Sequence, residues 1–332
     1  MMCPRLSIAI VQGGPSTEAE VSRASAVGVA RALAEAGHEV ARVELDAHTA
    51  ESLRTGRYDV VFPVVHGAVG EDGSLQGLLE VLGVPYVGSE VLASALAMHK
   101  RMARVVFEAA GLPVARGIAL GPGDAREAAG RARREVGARV VVKPSAHGSA
   151  IGVTRLDENA SLEEVAAALE AVWAIDSFAI VEHFARGREV TCGILDLAGP
   201  KALPPTEILV PKGLFYSYEI RYAAGRSVHE CPAKLPLAVT ERLQRTAIDA
   251  HRALGCRDLS RVDFIVGDES SPDAITLLEV NTLPGMTATS LYPEAAALVG
   301  YAMPALCDAL AVHARGRGPT PRHSARALPD GS

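Results

Sequence analysis

The sequence is poor in aromatic residues and in cysteine motifs, and each shortage excludes a class of protein. Phe, Trp and Tyr make up only 4% of the 332 residues, so we expect a core built from aliphatic side chains. The five cysteines are scattered, odd in number and never spaced as a CxxC pair. This pattern argues against a disulfide framework and against a zinc site.

Charge and hydropathy exclude several kinds of partner. The formal net charge of -6 gives no general attraction to nucleic acid or to an anionic membrane. The apolar run Leu6–Val11 is short, breaks at Gly13-Gly14 and is followed by no signal-peptide cleavage site. No run approaches the roughly 20 apolar residues that a membrane-spanning helix needs. We therefore expect a cytoplasmic protein with no nucleic-acid or membrane partner.

Two common nucleotide-binding fingerprints are also missing. No segment fits the Walker A pattern, which excludes P-loop phosphate binding. Gly13-Gly14 follow a predicted strand but lack the third glycine of the dinucleotide-binding fingerprint. A nucleotide site in this chain must therefore be built in another way.

The order of predicted elements divides the chain into four segments. Residues 1–98 alternate short apolar strands with helices, which predicts a parallel sheet covered on both faces. Residues 99–185 and 186–312 form two further α+β units, the second with antiparallel signals. Residues 313–332 lack periodicity and are predicted to be a disordered tail. The predicted fold class is therefore α/β.

The strongest chemical signal is a pair of predicted strands that carry Arg261-x-Asp263 and Glu279-x-Asn281. Alternate residues of a strand point to the same face. A hairpin between the two strands can set Asp263 opposite Glu279 and bring all four polar groups together. The predicted apolar residues of the opposite face are Val262, Phe264, Leu278 and Val280. Two carboxylates and an amide oxygen suit Mg²⁺; the alternative is the solvated face of an edge hairpin.

Four other polar residues are candidate ligand contacts: Lys100, Lys143, His66 and Glu18. Lys143 precedes a loop rich in glycine and serine, whose backbone N–H groups can approach a phosphate. His66 ends a strand of the parallel sheet, where open α/β sheets bind ligands. Glu18, in the first turn of a helix, can hold a substrate ammonium. The alternatives are surface lysines, a satisfied loop histidine and an acid that offsets the helix dipole.

Four motifs resemble the D-alanine–D-alanine ligases of the ATP-grasp superfamily. They are residues 13–22 (GGPSTEAEVS), 66–77 (HGAVGEDGSLQG), Arg261-Val-Asp263 and 278–287 (LEVNTLPGMT). The resemblance runs from about Leu6 to about Leu310. It implies an ATP-grasp fold, in which an N-terminal α/β domain is followed by two α+β subdomains that clasp ATP.

The resemblance also implies a role for each matching residue. ATP would be bound by Lys100, Lys143, Glu182, Phe184, Ala185, Glu189 and Arg221. Two Mg²⁺ (or Mn²⁺) ions would be held by Asp263, Glu279 and Asn281. The catalytic residues would be Glu18, Ser149, Tyr222, Arg261 and Gly285, and further substrate contacts would come from His66, Ser290 and Leu291.

The implied reaction is the ATP-dependent ligation of two D-alanines through a D-alanyl phosphate, for peptidoglycan precursor synthesis. The loops Ser145–Gly152 and Val210–Tyr222 would close over this intermediate, and the protein would be a homodimer. Tyr222 resembles the tyrosine of ligases that use D-alanine rather than D-lactate. Three positions depart from the family pattern: Ala150, Arg221 and Asp258.

Two other functions remain open from the sequence. One is a sister ligase that joins D-alanine to D-serine, D-lactate or another amine, because a pocket discriminates weakly between substrates that differ by one small group. The other is a non-catalytic nucleotide sensor. We expect such a sensor to have lost Arg261 or one of the metal ligands, all of which are present here.

Overall fold

The computed structural model describes residues 5–148, 150–209, 228–268, 274–287 and 289–319. The strands are β1 Ser7–Gln12, β2 Glu39–Glu44, β3 Val60–Pro63, β4 Gly117–Leu120, β5 Val140–Pro144, β6 Thr154–Leu156, β7 Ala179–His183, β8 Arg188–Asp196, β9 Pro200–Ala202, β10 Thr206–Leu209, β11 Val228–Glu230, β12 Asp258–Val266 and β13 Ile275–Asn281. The helices are α1 Ala19–Glu35, α2 Thr49–Gly56, α3 Ser74–Leu82, α4 Val91–Met98, α5 Lys100–Ala109, α6 Ala125–Glu135, α7 Leu162–Trp173, α8 Leu237–Leu254, α9 Leu291–Ala297 and α10 Met303–Arg317.

The N-terminal sheet is parallel, with strand order β2-β1-β3, as the sequence predicts. Alternate residues of β1 enter two different cores. Ile8 and Ile10 pack with α1 and α10, whereas Ala9 and Val11 pack with residues of α2 and α3. Both faces of the sheet are therefore covered, and its strand ends remain the place for polar side chains.

The central sheet is antiparallel, with strand order β4-β7-β5-β6. Helices α6 and α7 cover one of its faces, where Val140, Val142 and Val181 are fully or almost fully buried. The residues between them, Val141 and Glu182, point away from this core. They face the C-terminal sheet.

The C-terminal sheet has strand order β11-β10-β8-β12-β13, with β9 paired to β8. Val190 and Cys192 of β8 pack with Val262 and Phe264 of β12 against α8. The alternate residues Glu189 of β8 and Asp263 and Ile265 of β12 line the space towards the central sheet. The two sheets thus enclose a cleft, as expected for an ATP-grasp fold.

One predicted boundary is wrong. The segment 313–332 was predicted to be a disordered tail, but α10 continues to Arg317, whose side chain bonds to Asp258 and to the carbonyl of Tyr86. The helix lacks apolar periodicity near its end, because polar residues there contact other polar groups rather than the core. The boundaries at 98/99 and 185/186 stay predictions. Within the described ranges, no helix is long and apolar enough to cross a membrane.

Candidate active site

The cleft between the central and C-terminal sheets has a volume of about 920 Å³, counted with the open solvent at its mouth. Its lining contains these predicted site residues: Lys100, Lys143, Glu182, Phe184, Ala185, Glu189, Asp263 and Glu279. Residues from five separate parts of the sequence therefore meet in one cavity. Its lining combines apolar side chains with charged ones, as is typical of a pocket for a small molecule.

One wall of the cleft is a row of residues across the central sheet. Gly117 pairs with Glu182, Glu182 with Val141, and Val141 with Arg155. A Cβ at Gly117 would lie 2.7 Å from the carbonyl oxygen of Val181 and 2.9 Å from Cγ of Glu182. Glycine therefore leaves the space in which the Glu182 side chain lies.

Glu182 is held by two cations at the bottom of the cleft. Its Oε2 lies 2.6 Å from Lys143 Nζ, and its Oε1 accepts a hydrogen bond of 2.7 Å from Arg104 Nη1. Burial alone would raise the pKa of Glu182, but the charges of Lys143 and Arg104 outweigh it and lower the pKa. Arg104 was not predicted as a site residue; its spacing of four from Lys100 on α5 is the signal that could have identified it.

Lys100 joins the glycine-rich loop to the C-terminal sheet. Its Nζ lies 3.0 Å from Oε2 of Glu279 and donates a 2.9 Å hydrogen bond to the carbonyl of His147. Its backbone N–H also bonds to the carbonyl of Ser145, at 2.7 Å. A cation in this position can neutralise a phosphate that enters between the loop and β13.

The predicted hairpin of β12 and β13 is present in the predicted register. Arg261 lies opposite Asn281, and Asp263 lies opposite Glu279. A bulge then shifts the register, so that Phe264 pairs with Leu277 rather than with Leu278. The prediction that Leu278 shares the apolar face is therefore wrong: Leu278 lines the cleft beside Glu279, and Leu277 takes its place in the core.

Two of the three predicted metal ligands, Asp263 and Glu279, line the cleft, and the Oδ1 of the third, Asn281, accepts a 2.8 Å hydrogen bond from the backbone N–H of Leu283. Asp263 accepts a 2.6 Å bond from the hydroxyl of Thr191 and two 2.8 Å bonds from Arg261, while Glu279 pairs with Lys100. Within the residues described, no group of three or more His, Cys, Asp or Glu side chains is placed to hold a metal ion. A donor set of two carboxylates and one amide suits Mg²⁺, which takes further ligands from water and phosphate.

Glu18 and His66 meet near the edge of the N-terminal sheet, and both are only 6% exposed. A Cβ at Gly148 would lie 3.7 Å from the Glu18 carboxylate, and a Cβ at Gly67 would lie 3.4 Å from it. Ser16 donates a 2.6 Å hydrogen bond to the carbonyl of His66 and so joins the two loops. The N-terminal loops therefore lie beside the glycine-rich loop of the central unit.

His66 has a buried ring nitrogen, Nε2, with no hydrogen-bond partner among the residues that the structure describes. Its Nδ1 lies 3.9 Å from Oε1 of Glu71. Burial lowers the pKa of His66, but hydrogen bonding and charge from Glu71, with the charge of Glu18, raise it above its usual value; the charge of Arg261 lowers it. A buried, unpaired polar atom in such a setting indicates a place for a ligand.

The remaining described site residues lie between β13 and α9. Ser290 precedes α9, and its Oγ accepts a 3.0 Å bond from the backbone N–H of Thr287. A Cβ at Gly285 would lie 2.9 Å from the Ser290 Oγ, so these two predicted residues are close together. Leu291, the first residue of α9, is buried. The predictions for Ser149, Arg221, Tyr222 and the loop Val210–Tyr222 concern positions outside the described residues.

Family models match most of the chain. One described as "D-ala D-ala ligase C-terminus" matches residues 106–311, and one described as "D-ala D-ala ligase N-terminus" matches residues 44–89. A curated D-alanine–D-alanine ligase of Gluconobacter oxydans is 43% identical over 309 residues, which cover 91% of this chain and 97% of that protein.

Solved structures of ligases share the fold. The D-alanine-D-alanine ligase of Coxiella burnetii has a TM-score of 0.78 and 31% identity, covering 94% of this chain and 96% of that one. The D-alanine–D-alanine ligase of Bacillus anthracis complexed with ATP has a TM-score of 0.76 and 28% identity, covering 94% and 98%. The VanG D-Ala:D-Ser ligase of Enterococcus faecalis has a TM-score of 0.78 and 28% identity, covering 92% and 98%.

Proposed function

Because the chain belongs to the D-alanine–D-alanine ligase family, we propose that it joins two D-alanines to D-alanyl-D-alanine at the expense of ATP. The observation that carries the proposal is the meeting of Lys100, Lys143 and the Asp263–Glu279 hairpin in one cleft. Cations for phosphate lie there beside oxygen donors for a metal. The product would serve peptidoglycan precursor synthesis.

ATP would lie between the two sheets. Lys100 and Lys143 bind its phosphates, Glu182 with the backbone near Phe184 and Ala185 reads the adenine, and Glu189 binds the ribose. Support comes from the shared lining of the cleft and from the ion pairs that already orient both lysines. Arg221 would add a further charge to the phosphates.

Asp263, Glu279 and Asn281 would hold two Mg²⁺ or Mn²⁺ ions. When bound, such ions neutralise charge on a phosphoryl group that is being transferred. Asp263 keeps its orientation through Thr191 and Arg261, so the site has positioned neighbours as well as ligands.

The first D-alanine would lie between the N-terminal loops and Arg261. Glu18 holds its ammonium, aided by Ser149 and Tyr222, and His66 offers its unpaired nitrogen to the same substrate. The substrate carboxylate attacks the γ-phosphorus of ATP, ADP leaves, and a D-alanyl phosphate remains. An acyl phosphate is labile in water, so the site must exclude solvent until the second amine arrives.

The second D-alanine would lie near Ser290 and Leu291. Its neutral amine attacks the acyl carbon, a tetrahedral oxyanion forms, and phosphate leaves as the amide nitrogen loses a proton. Arg261 and the backbone N–H of Gly285 stabilise the oxyanion. Arg261 is suited to this role because two bonds to Asp263 hold its guanidinium in place before reaction.

The decisive experiment measures ADP release with D-alanine as the sole amino acid and determines the product mass in the same sample. ADP release that matches the formation of D-alanyl-D-alanine supports the proposal. Dipeptide or depsipeptide that forms only after D-serine or D-lactate is added would move the function to a sister ligase. The similarity to the D-Ala:D-Ser ligase structure is the observation that favours this second candidate.

We further propose that the protein is cytoplasmic and a homodimer. Exposed apolar side chains on adjacent helices support an interface: Val81 on α3 is 72% exposed and Leu92 on α4 is 69% exposed. The molar mass measured by light scattering tests the dimer. A value near the chain mass of 34.7 kDa contradicts it.

A further inference from the structure

Asp258, the first residue of β12, carries a carboxylate with 0% exposure. Arg317 of α10 donates to both of its oxygens, at 2.5 Å from Nη1 and 3.0 Å from Nη2. The backbone N–H of Gly88 donates a third bond, at 2.7 Å. A buried carboxylate is stable only with such partners, and here they reach the C-terminal sheet from the N-terminal unit and from the last helix.

The backbone of Asp258 is held in an unusual conformation. Its φ of +62° lies in the left-handed region, which disfavours residues with a side chain. Such a conformation persists where the surroundings over-determine it. The three hydrogen bonds to the carboxylate supply that constraint, so the side chain and the backbone strain form one local arrangement.

Arg317 and Arg257 also hold residues 86–90, the segment between α3 and α4. Arg317 donates a 2.9 Å bond to the carbonyl of Tyr86. Arg257, which precedes Asp258, donates a 2.8 Å bond to the carbonyl of Gly88 and lies 4.9 Å from the centre of the Tyr86 ring. Arg257 also pairs with Glu90. The segment is thus fixed to the start of β12 at several points.

The two segments joined by this contact, residues 86–90 and the start of β12, are each close to a strand that precedes or carries an active-site residue. Tyr86 forms a parallel bridge with Val61 of β3, and His66 follows soon after that strand ends. On the other side, Arg261 comes three residues after Asp258 on the same strand. Val64, in the segment between β3 and His66, and Leu259, between Asp258 and Arg261, pack in the same hydrophobic core, so the two chain segments that lead to His66 and Arg261 lie together.

We propose that Asp258 and Arg317 are a positioning pair that sets the first D-alanine subsite, with Glu18 and His66, against Arg261. This inference rests on the proposed function, because the subsite is the one assigned there. The pair lies apart from the ATP cleft, whose lining includes neither residue. Its loss therefore affects binding of the amino acid more than binding of the nucleotide.

The test is the steady-state kinetics of Asp258→Asn, with D-alanine and ATP varied separately. The expected result is a rise of about tenfold or more in the KM for the first D-alanine, with the KM for ATP within about twofold of wild type. Arg315→Gln is the matched control. Arg315 is two residues from Arg317 on α10, but its pair with Asp59 is exposed, so both KM values should stay unchanged.

Equal increases in both KM values, or a lowered Tm with neither KM changed, would overturn the positioning role and leave a purely structural one. If Asp258→Asn does not fold, Arg317→Gln gives the same test, and Arg317→Lys should recover part of the KM because it keeps the charge. Failure of the proposed function has a different signature, since wild-type protein would then form no D-alanyl-D-alanine.

Discussion

The charged side chains of the cleft are paired before any ligand is bound. Lys143 pairs with Glu182, Lys100 with Glu279, and Arg261 with Asp263. Each pair offsets the cost of placing a charge in a partly buried site and fixes its orientation. A substrate phosphate or ammonium therefore meets groups that need little reorganisation.

The buried arginine beside Glu182 gives a prediction at this scale. Arg104→Met leaves Glu182 with a single cation, so we expect a loss of about 3–5 kcal/mol in the free energy of unfolding and a higher KM for ATP. Glu108→Gln is the control, because it removes only the half-exposed partner of Arg104 and should cost less than about 1 kcal/mol. Chemical denaturation and ATP kinetics measure both effects; similar losses in the two variants would contradict the argument.

The carboxylate of Asp263 gives a second prediction for a single residue. Asp263→Asn keeps the shape but removes the charge that pairs with Arg261 and would bind metal. We expect the rate of ADP formation to fall at least about 100-fold, because charge neutralisation on the phosphoryl group is worth several kcal/mol. An unchanged rate would remove Asp263 from the metal site. It would also favour the alternative function given above, a nucleotide sensor that is not an enzyme.

Among the secondary-structure elements, β13 and α10 affect the site through their irregular parts. The bulge in β13 turns both Leu278 and Glu279 towards the cleft, where a regular strand would present only one of them. The last turn of α10 supplies Arg317, which neutralises a carboxylate 59 residues earlier in the chain. The bulge in β13 and the polar last turn of α10 each place a side chain against a residue of another element.

The end of α10 predicts different results for two truncations. A chain that ends at residue 319 keeps Arg317, so its Tm and activity should equal those of the full chain. A chain that ends at Gly316 leaves Asp258 buried without a guanidinium, which should cost about 3–5 kcal/mol of stability. Thermal unfolding of both truncated proteins decides the point; equal Tm values would show that the pair contributes nothing to stability.

At the scale of the whole molecule, a buried histidine joins one helix to two strands of the C-terminal sheet. His251 of α8 contacts Ser260 of β12 at 2.8 Å and Asp196 of β8 at 3.4 Å. Burial lowers the pKa of His251 below its usual value, although the charges of Asp196 and Asp258 raise it and that of Arg252 lowers it. The folded protein therefore keeps this ring neutral at a pH where the unfolded chain binds a proton.

This histidine predicts a pH dependence of global stability. Its contribution is complete above the unfolded pKa of about 6.5 and is lost as the pH falls from there towards the lower folded pKa, at up to about 1.4 kcal/mol per pH unit. Denaturation at pH 7.5 and pH 5.5 should show a smaller difference for His251→Gln than for wild type. The same difference in both proteins would show that other groups cause the acid sensitivity.

Local patterns in the sequence determined the elements and the polar face of the catalytic hairpin. Alternation along two short segments was enough to place Asp263 opposite Glu279, because side chains of a strand point to its faces in turn. Lys100 begins α5 and Lys143 is the last residue but one of β5, as local patterns predicted, whereas His66 lies three residues beyond the end of β3 rather than at its end. These features depend on neighbours in sequence and so can be read without the fold.

Tertiary structure alone decided the partners of those residues. Arg104 and Glu182 are 78 positions apart, Thr191 and Asp263 are 72 apart, and their pairing follows from how helix and sheets pack. The bulge beside Leu278 and the helical end that carries Arg317 also depend on distant contacts. Ion pairs and register shifts of this kind leave no local pattern, because their energy comes from burial beside a group that the chain brings from far away.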